Sequence, residues 1–204
     1  MKISTILQAL ATGELSNLFL ANDKLTVKPD KLERVLATIN LGLTDIYTRF
    51  FLKRKSVIVT LQEDQRYYTI NQEDLIEIVQ INSQGYELTL NVDYTLINYK
   101  TILLHSISNN SSVEVIYRAN HKEITKQDIE NDTNIELPTS HLNLLLYFSA
   151  SRLYTSIVNQ LDGDLNESVR YTQKYLEELS MLTNQGIDVD NLYENSLFKQ
   201  RGFI

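Results

Sequence analysis

Between Pro29 and Lys53 the apolar residues Leu32, Val35, Leu36, Ile39, Leu43, Ile46, Tyr47, Phe50 and Phe51 recur every three or four positions. That spacing predicts one amphipathic helix over 29–53, with a single apolar face held for about six turns. Pro29 suits a first helical turn, and Asp30 and Glu33 suit the positive end of the helix dipole. Upstream, residues 1–12 place Ile3, Ile6, Leu7 and Leu10 on one face of a short helix that Gly13 ends. Residues 14–28 carry Leu15, Leu18, Phe19 and Leu20 and are expected to form an ordered connection.

Past Lys55 the period changes from 3.6 to 2. Ser56–Leu61 (SVIVTL), Tyr67–Thr69, Leu75–Ile81 (LIEIVQI), Tyr86–Val92, Thr101–His105 and Val113–Ala119 read as strands. In 86–92 the residues Tyr86, Leu88, Leu90 and Val92 alternate with Glu87, Thr89 and Asn91, which predicts a half-buried strand. Short strands joined by turns, such as the one at Gln84-Gly85, fit an antiparallel sheet or small sandwich. Residues 120–136 are polar and read as a surface loop.

Helical spacing returns after Leu137-Pro138, with Thr139 or Ser140 as the expected cap. Leu142, Leu145, Leu146, Ser149, Leu153, Ile157 and Leu161 form one face. Asp162-Gly163-Asp164 reads as a tight turn, with Asp164 and Glu167 resembling a capping box. A second helix runs to about Leu182, with Leu165, Val169, Leu176, Leu179 and Leu182 expected inward. The pair makes an αα-hairpin. Ser149, Ala150 and Ser151 are small enough to permit a close helix crossing, inside the subunit or at a subunit interface.

The predicted class is therefore α+β: a helical bundle of the long helix and the hairpin, with an inserted antiparallel β module and an extended C-terminal tail. One domain over 1–204 is expected. It divides into N-terminal helices (1–55), β module (56–136), helical hairpin (137–183) and tail (184–204). The tail holds Leu192, Tyr193, Leu197, Phe198, Phe203 and Ile204, anchors that suit docking on its own subunit or on a neighbour.

Composition narrows the chemistry. The chain has no cysteine, which removes disulfides and thiolate metal sites. No apolar run is long enough to span a bilayer, and Ser4, Thr5 and Gln8 break the N-terminal stretch, so neither a membrane span nor a secretion signal is expected. The formal net charge is −7, unevenly spread: residues 1–60 carry nine Lys/Arg against five Asp/Glu, and residues 61–204 carry ten against twenty-one. An acidic body argues against a dedicated nucleic-acid reader.

His105, His121 and His141 have no paired metal spacing, and no nucleophile elbow or phosphate loop is present. The carboxylate pairs Glu63-Asp64, Glu73-Asp74 and Glu177-Glu178 sit in polar contexts. They keep open a carboxylate-dependent cell-wall or polysaccharide hydrolase, which needs two acids facing across a cleft. A generic β-type binding module on a helical stalk is a further alternative. Arg49, Lys53, Arg54 and Lys55 gather at the end of the long helix. They complement its dipole, or they contact a subunit, an acidic partner or a DNA backbone.

The segments GELSNL (13–18), INLGLTDIYTRFFLK (39–53), LIEIVQI (75–81), VEVIYRANH (113–121) and IELPTSHLNLLLYFSASRLYTS (135–156) carry a resemblance. Over roughly residues 6–160 the chain resembles the head-to-tail adaptor or connector proteins of short-tailed bacteriophages. These are the tail-tubular-A-like group, and the ring proteins of crAss-like phages look most similar. The resemblance implies a structural virion protein, not an enzyme, with no catalytic residue, metal or cofactor. It implies a twelve-subunit ring beneath the portal that extends the DNA ejection channel and receives the next tail protein. The helical bundle would form the ring wall, and the C-terminal tail would reach between portal subunits. Implied partners are further copies of the chain, the portal, the next tail or ring protein and the genomic DNA in passage, with no membrane. Implied localisation is the portal vertex of the virion, after assembly in the host cytoplasm. An acidic lumen fits, because it would repel phosphates and let the genome slide.

Overall fold

The computed structural model describes residues 1–16, 27–105, 111–158 and 165–185. The chain forms two compact units. One is built from Met1–Phe50 together with the chain from Glu123 onward, and the other from Phe51–Lys122.

The helical unit contains α1 (Ile3–Thr12), α2 (Pro29–Arg49), the short α3 (Lys126–Glu130), a 3₁₀ turn at Thr139–His141, α4 (Leu142–Val158) and α5 (Leu165–Asn184). The apolar spacing of α1 works as expected. Ile3, Ile6, Leu7 and Leu10 are buried, and the Gly13 N–H caps the helix on the Ala9 carbonyl at 2.9 Å. In α2, Val35, Leu36, Ile39, Leu43, Ile46 and Tyr47 are buried. α4 packs against both α2 and α5, so the long helix and the hairpin share one core.

Several expectations need correction here. α2 stops at Arg49, four residues early: Phe50 is extended at φ −112° and ψ 136°, although its N–H still bonds the Ile46 carbonyl. Successive residues of an extended chain point to opposite sides. Phe50 is buried against His141 in the helical unit, and Phe51, the first residue of the β unit, is buried as well. The polar stretch 120–136 is not a plain loop. From Glu123 it belongs to the helical unit, with Ile124 and Ile135 buried. Thr125 and Asp128 close a capping box on α3. At α4, neither Thr139 nor Ser140 caps, because both lie inside the preceding 3₁₀ turn.

The largest correction is to α5. Val169 and Leu176 face solvent, while Ser168, Tyr171, Tyr175 and Leu182 are buried. Leu182 is buried as expected and Leu179 half-buried, but the spacing turned Val169 and Leu176 inward and left out the tyrosines. The tyrosines win the interior because each ring is large and each hydroxyl finds a partner. The Tyr154 and Tyr171 hydroxyls both donate to the Glu14 carbonyl, at 3.2 and 3.0 Å, and the two rings stack with centroids 5.5 Å apart. The turn expected at 162–164 lies outside the described residues.

The β unit holds β1 (Arg54–Thr60), β2 (Tyr67–Thr69), β3 (Leu75–Ser83), β4 (Tyr86–Glu87), β5 (Tyr94–Asn98), β6 (Thr101–Leu104) and β7 (Ser112–Ala119). They make a four-stranded sheet in the order β1-β7-β3-β4 and a three-stranded sheet in the order β2-β6-β5. All named pairings are antiparallel. Ile78 and Ile81 of β3, Val113, Val115 and Tyr117 of β7, and Tyr68, Tyr94, Ile102 and Leu104 of the smaller sheet share one core. The clean alternation of 86–92 misleads: only Tyr86–Glu87 is strand, and Tyr86, Leu90 and Val92 are exposed. The Asp93 carboxylate accepts from the Thr89 N–H at 2.8 Å, and the Thr89 carbonyl takes the Asp93 N–H at 2.8 Å. That local turn ends the strand. β5, unmarked by any alternation, then supplies Tyr94 to the core.

Candidate functional site

The residues singled out for chemistry are dispersed. Among the described residues no cluster of three or more His, Asp or Glu is arranged to hold a metal. His141 is fully buried and meets the Phe50 ring edge-on at 4.6 Å. The His105 Nε2 lies 2.8 Å from the Thr95 hydroxyl, and the His121 Nδ1 lies 2.8 Å from the Lys122 carbonyl. These are structural placements.

A shallow cleft of about 430 Å³ in the β unit is lined by Ile70, Asn71, Gln72, Glu73, Leu75, Tyr99 and Lys100. Glu73 is the sole carboxylate in that lining, so the cleft lacks the facing pair a glycosidase needs. Its neighbour Asp74 is committed elsewhere, to Lys55 Nζ at 2.5 Å and the Tyr117 hydroxyl at 3.3 Å.

Of the basic residues, Arg49, Arg54 and Lys55 have their side chains engaged inside the chain. In the helical unit, Arg49 Nε donates to Asp45 Oδ2 at 2.9 Å, one turn back along α2. In the β unit, Arg54 donates to Gln80 Oε1 at 2.9 Å, Lys55 pairs with Asp74, and the Lys53 carbonyl receives the Ala119 N–H at 2.9 Å. The portal-docking residues read from sequence, Leu192, Tyr193, Leu197, Phe198, Phe203 and Ile204, lie outside the described residues.

What the helical unit builds instead is a tight crossing. A Cβ placed on Gly42 of α2 would sit 2.7 Å from Leu145 Cδ1 and 3.0 Å from Phe148 Cδ1 on α4. On another side of α4, small polar residues knit it to α5. The Ser151 carbonyl accepts from the Ser168 hydroxyl at 3.1 Å, and the Ser168 and Thr155 hydroxyls are 2.6 Å apart. The SAS run at 149–151 thus serves packing within the subunit, and Ser149, Ala150 and Ser151 are all buried.

Two buried tyrosines tie the helices further. The Tyr175 hydroxyl donates to Asp45 Oδ2, joining α5 to α2 and to Arg49. Burial, reinforced by the Asp45 carboxylate, pushes the Tyr175 phenol well above its ordinary range. The Tyr47 hydroxyl donates to the Glu136 carbonyl, and burial, with the nearby Glu136 charge, raises that phenol to about 12. At the start of α1, Asp132 accepts from Lys2 Nζ at 2.7 Å and from the Ser4 N–H at 3.2 Å. Hydrogen bonding from Lys2 first, and then from the side chain and backbone of Ser4, holds its carboxyl down at about 2. Sequence reasoning missed Asp45, Tyr175 and Asp132. Asp45 and Tyr175 bond each other across 130 residues, and Asp132 reaches partners 128 and 130 residues away, separations no local pattern reveals.

The structure therefore supplies packed helices, a small sandwich and outward-facing apolar side chains. The family comparison gives this architecture its meaning. Residues 1–195 match the model of the SU10 adaptor protein family. The chain belongs to that family. This adaptor is a phage head-to-tail adaptor, a structural virion protein and not an enzyme. A solved chain from the neck of an empty GTA particle, determined with C6 symmetry, also matches the adaptor. It shows 12% identity over 84% of this chain and 93% of that one, with a TM-score of 0.28, and at that value it adds nothing to the assignment. No curated protein matches.

Proposed function

We propose that the adaptor assembles as a closed homo-oligomeric ring on the portal, carries the genome channel onward and presents a platform to the next tail protein. The observation that carries this reading is the family match along residues 1–195, nearly the whole chain. The sequence resemblance favours twelve subunits and a position near the crAss-like ring proteins. Assembly takes place in the host cytoplasm, before the particle is complete.

Within this reading, Leu192, Tyr193, Leu197, Phe198, Phe203 and Ile204 of the tail anchor the ring to the portal. Apolar anchors on a polar segment bind by filling clefts on a preformed surface. Arg49, Lys53, Arg54 and Lys55 serve a secondary contact with an acidic neighbour. The side chains of Arg49 and Lys55 stay 48% and 44% exposed despite their ion pairs, which leaves them within reach of one. Passage of DNA is non-specific and needs no cofactor.

Truncation after Asn184 tests the tail. The shortened chain should melt as the full chain does yet lose co-sedimentation with the portal. A collapse in melting temperature would make the tail part of the subunit's own core, and unchanged co-sedimentation would remove it from the portal contact.

A further inference from the structure

Two helices of the helical unit expose faces that resemble halves of one interface. On α2, Ala37, Leu41, Thr44 and Thr48 are all exposed, and Leu41 is 61% exposed. Their steps of four, three and four residues make a heptad-like seam on the side of the helix away from Ile39, Leu43 and Ile46. No charged residue occurs between Val35 and Thr44. On α5, Val169, Thr172, Leu176, Leu179 and Thr183 follow the same alternation of three and four. Val169 is 54% and Leu176 55% exposed, while Leu179 is half-buried. Every charged residue of α5 (Glu167, Arg170, Lys174, Glu177 and Glu178) falls on the other part of its circumference.

Resting on the ring reading above, we infer that the α5 seam of one copy packs on the α2 seam of the next. Three features favour a second copy as the occupant. First, a chain of net charge −7 repels its own copies over most of its surface, so copies meet best across faces poor in charge, and on α2 only Asp30 and Arg34, at its N-terminal end, fall in line with the seam. Second, the two seams complement each other in size. The α2 seam is mostly small, with Ala37, Thr44 and Thr48 around one Leu41, whereas the α5 seam offers Val169, Leu176 and Leu179 as knobs. Third, the seams lie on different helices, each packed on α4, so pairing one with the other is heterologous and propagates from copy to copy. A rotation that closes gives a ring.

Leu41→Glu and Leu176→Glu, each in the full chain, test this by sedimentation velocity over a concentration series, with portal added in parallel. Both positions are exposed, so the variants should keep the wild-type far-UV spectrum and melting temperature. If either melts early, Leu41→Gln or Leu176→Gln replaces it. Wild type should assemble beyond the dimer. Each variant alone should self-associate at least tenfold more weakly. An equimolar mixture should give one-to-one dimers and nothing larger, because the only intact pair left is the α5 seam of the Leu41→Glu copy with the α2 seam of the Leu176→Glu copy. Leu41→Lys combined with Leu176→Glu in one chain should restore assembly. Rings formed by either glutamate variant would overturn the pairing and leave the ring reading standing. So would a mixture that stays monomeric, or a Leu176→Glu chain that assembles normally but exposes its C-terminal segment to protease, which would show that segment to be the occupant. A wild-type chain that never assembles, with or without portal, takes down the ring reading itself.

Discussion

Replacing Gly42 with alanine puts the α2–α4 crossing to a test in which two effects of opposite sign compete. At an exposed helix interior, Gly→Ala stabilises by about 1 kcal/mol, because alanine loses less backbone freedom on folding. Here the new methyl would lie 2.7 Å from Leu145 Cδ1 and 3.0 Å from Phe148 Cδ1. Carbon pairs are comfortable at about 3.5–4.0 Å, so both side chains must retreat by roughly 0.5–1 Å. Leu145 is fully buried and its surroundings are packed, so the retreat amounts to overpacking, at about 1–3 kcal/mol. The net expectation is a destabilisation of about 1 kcal/mol for Gly42→Ala. Gly42→Val, which adds two more methyl groups and β-branching, should cost about 3 kcal/mol or more. Urea unfolding of the full chain followed at 222 nm reads both, and in a domain of this size 1 kcal/mol moves Tm by about 2–4 °C. The double variant Gly42→Ala/Leu145→Ala adds a sharper check. The methyl then enters the space Leu145 vacates, so the double should be at least about 0.5 kcal/mol more stable than the sum of the singles. A Gly42→Ala chain stabilised by about 1 kcal/mol, with additive singles, would refute the close crossing.

Further expectations concern the buried polar contacts. Tyr175→Phe removes the hydroxyl that donates to Asp45 and should cost about 1–2 kcal/mol, since the acceptor is a carboxylate oxygen on a partly buried side chain; a loss below about 0.3 kcal/mol in urea melts would show the bond to be idle. Tyr47 has its phenol raised to about 12 in the folded chain. Its contribution is whole below the unfolded value of about 10 and is lost as pH rises from there through 12, so the alkaline limb of stability should shift upward in Tyr47→Phe. Asp132 runs the other way, with its carboxyl lowered to about 2. Its contribution is present above the unfolded value of about 3.9 and is lost as pH falls through 2. Asp132→Asn should flatten that part of the acid limb in a pH series of thermal melts, and an unchanged limb would remove Asp132 from the account.

The elements that hydrophobic spacing made legible were those whose partners make little difference to the pattern. α1 and most of α2 followed from a 3.6-residue repeat of aliphatic side chains, and β3 and β7 from β-branched runs, β7 being buried on both faces from Val115 to Ala119. The failures share a cause. In α5 the exposed leucine and valine outscore the tyrosines on hydrophobicity alone. The tyrosines are nevertheless inside, because distant acceptors, Asp45 and the Glu14 carbonyl, satisfy their hydroxyls. At 86–92 a perfect alternation was overridden by one carboxylate, Asp93, that turns the backbone locally. Val169 and Leu176 were legible as apolar but assigned to the wrong surface; in the structure both are exposed. The functional class rested on no site at all. A connector works through packing and symmetry, and those leave no short motif.

Electron microscopy of the purified chain mixed with its portal tests the central claim most directly. The account predicts a closed ring of adaptor subunits, coaxial with the portal and continuing its channel. Adaptor subunits that remain monomeric beside undecorated portal, at concentrations far above those needed for assembly, would contradict it.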